Sequence, residues 1–147
     1  MYKKIIIIGA LLASASAAQA GELSNLKRSL QVAAASSRYA TTQCDAPRFN
    51  AIVYTRPGSA FYNVLFKSLR NQENYKKAAQ TVRSRIAHTK QQLAHASGKR
   101  AKQLKKQLHQ QNQKHRDLRN QEIAFSALSR QVVNQQTILI NNFKALC

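Results

Sequence analysis

Residues 93–104 read Leu-Ala-His-Ala-Ser-Gly-Lys-Arg-Ala-Lys-Gln-Leu, and their glycine, Gly98, is the one glycine between Ser59 and Cys147, a span without proline. On its N-terminal side Leu65, Leu69, Gln72, Tyr75, Ala79, Val82, Ile86, Thr89, Leu93 and Ala96 follow one another by threes and fours. On its C-terminal side Leu104, Leu108, Gln111, His115, Leu118, Glu122, Phe125, Ser129, Val132, Gln136, Leu139, Phe143 and Leu146 do the same. Sustained spacing of this kind marks a coiled-coil seam. Glycine readily adopts the left-handed conformation that ends a helix. The pattern therefore predicts an all-α fold: a long antiparallel helical hairpin, coiled-coil-like, turning near Gly98 and setting Leu93 beside Leu104 and Ala79 beside Leu118. One unbroken helix stabilised by oligomerisation is the alternative, because a single glycine costs a helix only about 1 kcal/mol.

Working outward, Ser59 follows the turn pair Pro57-Gly58 and suits the N-cap of the first arm. Between Arg38 and Ser59 the periodicity breaks at Cys44, Pro47 and Pro57-Gly58, and Phe49–Tyr54 reads as a short strand or an extended segment. Upstream, Leu23, Leu26, Leu30 and Ala33 form one apolar stripe. They predict a short N-terminal helix, ending near Ser36-Ser37, that packs at the hairpin base. The base is rich in large apolar residues, with Phe61, Val64, Leu65, Phe66, Leu69, Phe125, Leu128, Val132, Ile138, Leu139, Ile140, Phe143 and Leu146. The distal seam is poorer, since Gln72, Thr89, Gln111, His115 and Glu122 occupy core-type positions.

The first twenty residues carry the marks of a secretory leader: basic Lys3-Lys4, an apolar run Ile5–Leu12 and the Ala18-Gln19-Ala20 site. That apolar run is shorter than the roughly 20 residues a membrane helix needs. The expected organisation is a signal peptide over 1–20, an N-terminal helix and cysteine-containing loop over 21–58, and the helical hairpin over 59–147. A retained N-terminal anchor is the other reading. An exported chain places the protein in the periplasm or the medium. Two cysteines, Cys44 and Cys147, then favour one disulfide in an oxidising compartment, with two free thiols as the alternative.

Sequence motifs of catalysis are missing. No glycine-rich phosphate loop, Gly-x-Ser-x-Gly elbow or His-Glu-x-x-His helix occurs, and the five acids are scattered, so no enzyme and no cofactor is expected. Folding at Gly98 levels His88 with His109, but no carboxylate or thiol completes a metal site, and none is expected.

Charge is the strongest functional signal. The chain holds 24 Lys plus Arg against 5 Asp plus Glu, a net charge of +19, which falls to +17 without Lys3 and Lys4. From Arg83 to Arg119 the basic residues are opposed by Asp117 alone. Helix neighbours such as Lys99 and Lys102, Lys102 and Lys106, or Arg116 and Arg119 repel one another by a few tenths of a kcal/mol each. Such a run gains stability from an anionic partner. The expected anion-binding residues are Lys99, Arg100, Lys102, Lys105, Lys106, Lys114, Arg116 and Arg119. The partner is expected to be an anionic envelope component, or an acidic or unfolded protein client. Duplex nucleic acid, bound through its phosphates, is less favoured. Single strands are disfavoured because no aromatic ring lies between Tyr75 and Phe125 to stack on bases. The resulting reading is a non-enzymatic structural or interaction module of the cell envelope; a small secreted cationic effector or toxin is another.

Ala51-Ile52-Val53, then Gly58-Ser59, Phe61 and Val64 ahead of a charged helical hairpin, resembles the Skp family of periplasmic chaperones, also known as the OmpH family. The resemblance covers about fifteen residues and the general architecture. It implies a trimeric holdase whose basic arms hold unfolded outer-membrane proteins, and hence a possible homo-oligomer. The chain departs from that pattern in its extra N-terminal helix, its expected disulfide and its want of a returning strand near the C-terminus.

Overall fold

The computed structural model describes the backbone of residues 3–147 and the side chains of residues 21–147. The expected leader, residues 1–20, lies outside the described side chains. Four helices follow one another: α1 (Lys3–Thr42), α2 (Ala46–Val53), α3 (Ala60–Ala94) and α4 (Gly98–Leu146). No strand forms among the described residues. Consecutive α3 and α4 make the helical hairpin. The chain divides into two compact units, one of residues up to Ser68 together with Ala127–Cys147, the other Leu69–Ser126.

In the first unit, α1 buries Leu26, Leu30, Ala33, Ala34, Ser37, Ala40 and Thr41. It runs on past the expected end at Ser36-Ser37, because serine and threonine hydroxyls here bond within the helix. Ser37 Oγ donates to Ala33 O at 2.7 Å and Thr41 Oγ1 to Ser37 O at 2.9 Å. The stop comes instead from a six-residue closure, Asp45 N to Ala40 O at 2.9 Å and Cys44 N to Thr41 O at 3.1 Å. Those two bonds are the Schellman pattern, which requires a left-handed residue between them. Cys44 supplies it, with φ +47°.

The segment read as a strand or extended is α2. Asp45 caps it, its carboxylate accepting from Arg48 N at 3.1 Å, and Pro47 sits in the first turn, where no backbone N–H is lost. Its far end is held by Gln136 Nε2, which donates to Val53 O at 2.9 Å. Phe49, fully buried, stacks on Phe143 with ring centroids 4.3 Å apart. A tight turn follows, Ser59 N donating to Arg56 O at 3.0 Å, with Pro57 then Gly58 at φ +90° in its centre. That order is the type II signature. Ser59 then caps α3 as expected, its Oγ accepting from Tyr62 N at 3.2 Å. Phe61, Val64, Leu128, Val132 and Leu139 complete the core, and Cys44 is joined to Cys147 with Cα atoms 5.6 Å apart.

The expected seam slips at the start of α3. The buried positions are Phe61, Val64, Ser68 and Asn71, while Leu69 is 49% exposed and Leu65 and Gln72 are half-buried. At 100° per residue the buried set, continued through Tyr75 and Ala79, stays within roughly a quarter of the helix circumference, and the leucines fall on its flank. A small polar side chain is tolerated inside because Ser68 Oγ donates to Val64 O at 2.7 Å. Phe66, Ile138 and Leu146, expected at the base, are likewise exposed.

In the second unit, the expected seam residues Tyr75, Ala79, Val82, Ile86 and Thr89 are all buried, as are Leu104 and Phe125 on the returning arm. Tyr75 stacks on Phe125 with centroids 5.7 Å apart. The arms thus face each other a little under one helical turn away from the register that symmetric folding at Gly98 predicts. Gly98 does take positive φ, +58°, but it opens α4 rather than closing α3. Ala96 N to Leu93 O closes the first arm, and Ala101 N to Ser97 O starts the second.

Two stability tests follow from these turns. A Cβ at Gly98 meets nothing within 4 Å, so its cost is conformational alone. Gly98→Ala should destabilise by about 1 kcal/mol, Gly98→Val by more and Gly98→Asn by less, in thermal or urea melts. Freshly purified oxidised protein should show no alkylatable thiol and migrate as a monomer without reductant. Opening a loop of this length costs up to about 4–5 kcal/mol by chain entropy. With both cysteines replaced, Cys44→Gly with Cys147→Ser should retain about 1 kcal/mol more than Cys44→Ser with Cys147→Ser, because glycine accepts the left-handed turn freely.

Candidate anion-binding surface

Helix α4 opens with five basic residues in its first nine positions, and its rotation decides which of them act together. Lys99, Lys102 and Lys106 share one face, and with Gln103 they line a single shallow concavity. Arg100 and Lys105 are exposed too but do not line it. The tip thus presents three lysines on one concavity with two further cations beside it. No acid lies in the sequence between Glu73 and Asp117, so this face has no internal counter-charge.

The remaining expected residues separate. Arg116 is exposed. Arg119 pairs with Glu122, the seam glutamate one turn on, and so has a counter-charge of its own. Lys114 is half-buried and turned toward α3, where burial first, and the Arg85 guanidinium second, lower its ammonium pKa below the ordinary value of 10.5. The pairing of Arg85 with Lys114 was not readable from spacing, because it depends on the register of the arms.

Between the arms lies an open groove of about 490 Å³, walled on α3 by Thr81, Ser84, Arg85, His88, Thr89 and Gln92, and on α4 by Gln107 and Gln111. His88 meets these glutamines there; His109, its expected partner, is not in the wall and is exposed. Among the described residues no three His, Cys, Asp or Glu side chains gather as metal ligands. Nor, among the described residues, is any helix long and apolar enough to cross a membrane. Comparison with protein-family models, curated proteins and solved structures finds no match. The likeness to the Skp family stands on the quoted residues alone.

The Lys114 environment sets a sign for pH. A lysine whose folded pKa is depressed makes the unfolded chain bind the proton more tightly, so stability rises with pH from the lowered value up to about 10.5. At neutral pH the charged amine is a burden. Lys114→Gln should therefore raise the melting temperature at pH 7, and the gain should shrink both at high salt and as the pH approaches 10.5.

Proposed function

We propose that this is an exported, non-enzymatic interaction protein of the cell envelope, docking onto an anionic partner through its basic hairpin tip. One observation carries the reading: Lys99, Lys102 and Lys106 converge on one exposed face at the end of a hairpin that supplies no acid to neutralise them. Like charges held together on a helix repel, and an anionic surface removes that cost while gaining attraction. Export is supported by the leader-like residues 1–20 and by the joined Cys44 and Cys147, a pairing at home outside the reducing cytosol. The tip has no large apolar face, so lipid contact would be mainly electrostatic.

A chaperone that holds unfolded outer-membrane proteins is the second reading. It is favoured by apolar side chains left exposed in the first unit, Phe66, Val133 and Ile138 among them. A trimeric mass in solution and suppression of client aggregation would select it over surface docking.

The test of the first reading replaces Lys99, Arg100, Lys102, Lys105 and Lys106 together by Gln. Binding to lipopolysaccharide or to anionic liposomes should weaken by at least about tenfold at low salt, and its salt dependence should flatten. Helix content should hold or rise, since glutamine is a fair helix former and the repulsion is gone. Undiminished binding by this variant would make the tip an ordinary solvated helix end and remove the docking reading.

A further inference from the structure

The groove between the arms of the second unit is built differently from the tip. Its wall combines the Arg85 guanidinium, the His88 ring and the amides of Gln92, Gln107 and Gln111, and contains no carboxylate. Lys114 lies one turn beyond Gln111 and is close enough to Arg85 to feel its charge. The wall thus carries one guanidinium, Arg85, and Lys114 follows Gln111 along α4 within range of that charge, with no acid in the wall. A polar group is also left unmet. Gln111 Oε1 is buried with no hydrogen-bond partner, and rotating that amide by half a turn exchanges the oxygen for an N–H donor. Two of the wall hydroxyls donate within their own helix, Thr81 Oγ1 to Lys77 O and Ser84 Oγ to Gln80 O, which leaves the cations, the ring and the amides as the main source of selectivity.

We propose that this groove is a binding site for a phosphomonoester, with Arg85 and Lys114 as its charge partners and His88, Gln107 and Gln111 as hydrogen-bonding groups. The match is one of charge and shape. A phosphomonoester carries close to two negative charges near pH 7, its second pKa being about 6, and presents three strong acceptor oxygens. A carboxylate or a phosphodiester brings a single charge and leaves one cation unmatched. The planar guanidinium grips two of these oxygens in parallel while an ammonium acts as a point charge. Free phosphate and a lipid phosphomonoester headgroup share this chemistry. The site stands on residues other than the tip lysines, so it does not depend on the docking reading.

The purified full chain is titrated with inorganic phosphate at fixed ionic strength against chloride and dimethyl phosphate, following its melting temperature and heat of binding. In a parallel arm it is added to neutral vesicles doped with phosphatidic acid or, at matched charge, with phosphatidylglycerol. Phosphate should raise the melting temperature above both controls if the ligand is a small anion. Preference for phosphatidic acid over phosphatidylglycerol without a free-phosphate effect would identify a lipid headgroup. In whichever arm responds, Arg85→Gln and Lys114→Gln should each lower affinity by about tenfold or more, while the five-residue tip variant keeps the monoester preference. Both substitutions lie on partly or fully exposed helix surface, and circular dichroism checks that the helices persist. No monoester preference in either arm, or a preference that survives both groove variants, overturns the proposal.

Discussion

The bond between Cys44 and Cys147 ties the turn after α1 to the end of α4, and the packing of the first unit is organised around that closure. Phe49 reaches Phe143 and Gln136 reaches the end of α2 because both helices are brought to the same place. The turn that presents Cys44 is itself demanding, since its left-handed backbone usually falls to glycine. The cysteine cannot be both relaxed and correctly placed, and the covalent closure offsets the conformational cost. Among the described residues, the buried face of α1 has two leucines and otherwise alanine, serine and threonine, so it contributes little apolar area.

The second unit has no covalent tie. Its seam is held by Tyr75 against Phe125 and by Val82, Ile86 and Leu104, with Ala79 and Thr89 adding little area between them. Over this seam the sequence lays an almost unopposed series of cations. Arg119 finds Glu122 and Lys77 finds Glu73, but Arg85, Lys114 and the tip lysines have no such acid. A helical pair can carry this charge only because each repulsion is small and screened by water.

Much of the fold was legible because local signals agreed with packing. Ser59 after Pro57-Gly58, the positive φ of Gly98 and the stripe from Tyr75 to Thr89 each follow from a short-range rule. The misreadings have physical causes. Ser36-Ser37 looks like a helix end, yet a serine inside a helix can bond to the preceding turn, as Ser37 does. Phe49, Ile52 and Val53 have strand-like chemistry, which obscured the capping pair Asp45 and Pro47. Leu65 and Leu69 outweighed Ser68 and Asn71 on hydrophobicity, although the helix turns the smaller pair inward. At the surface, the tip was visible from its want of acids. The groove was not, because Arg85 and Lys114 are nearly thirty positions apart and come within range of each other's charge only once the register of the arms is set.

The thin seam of the second unit also bears on motion. Small side chains at Ala79 and Thr89 and an unpaired amide oxygen at Gln111 leave few contacts to break when the arms part there. Local opening of such a segment needs much less free energy than unfolding the whole domain. Backbone amides along these turns should consequently trade their protons for deuterium by brief separation of the arms. A molecule gripped from both arms would slow that trade on either side of it, so exchange rates along residues 81–92 and 107–114 would record occupancy in a way that a static picture of the helices does not.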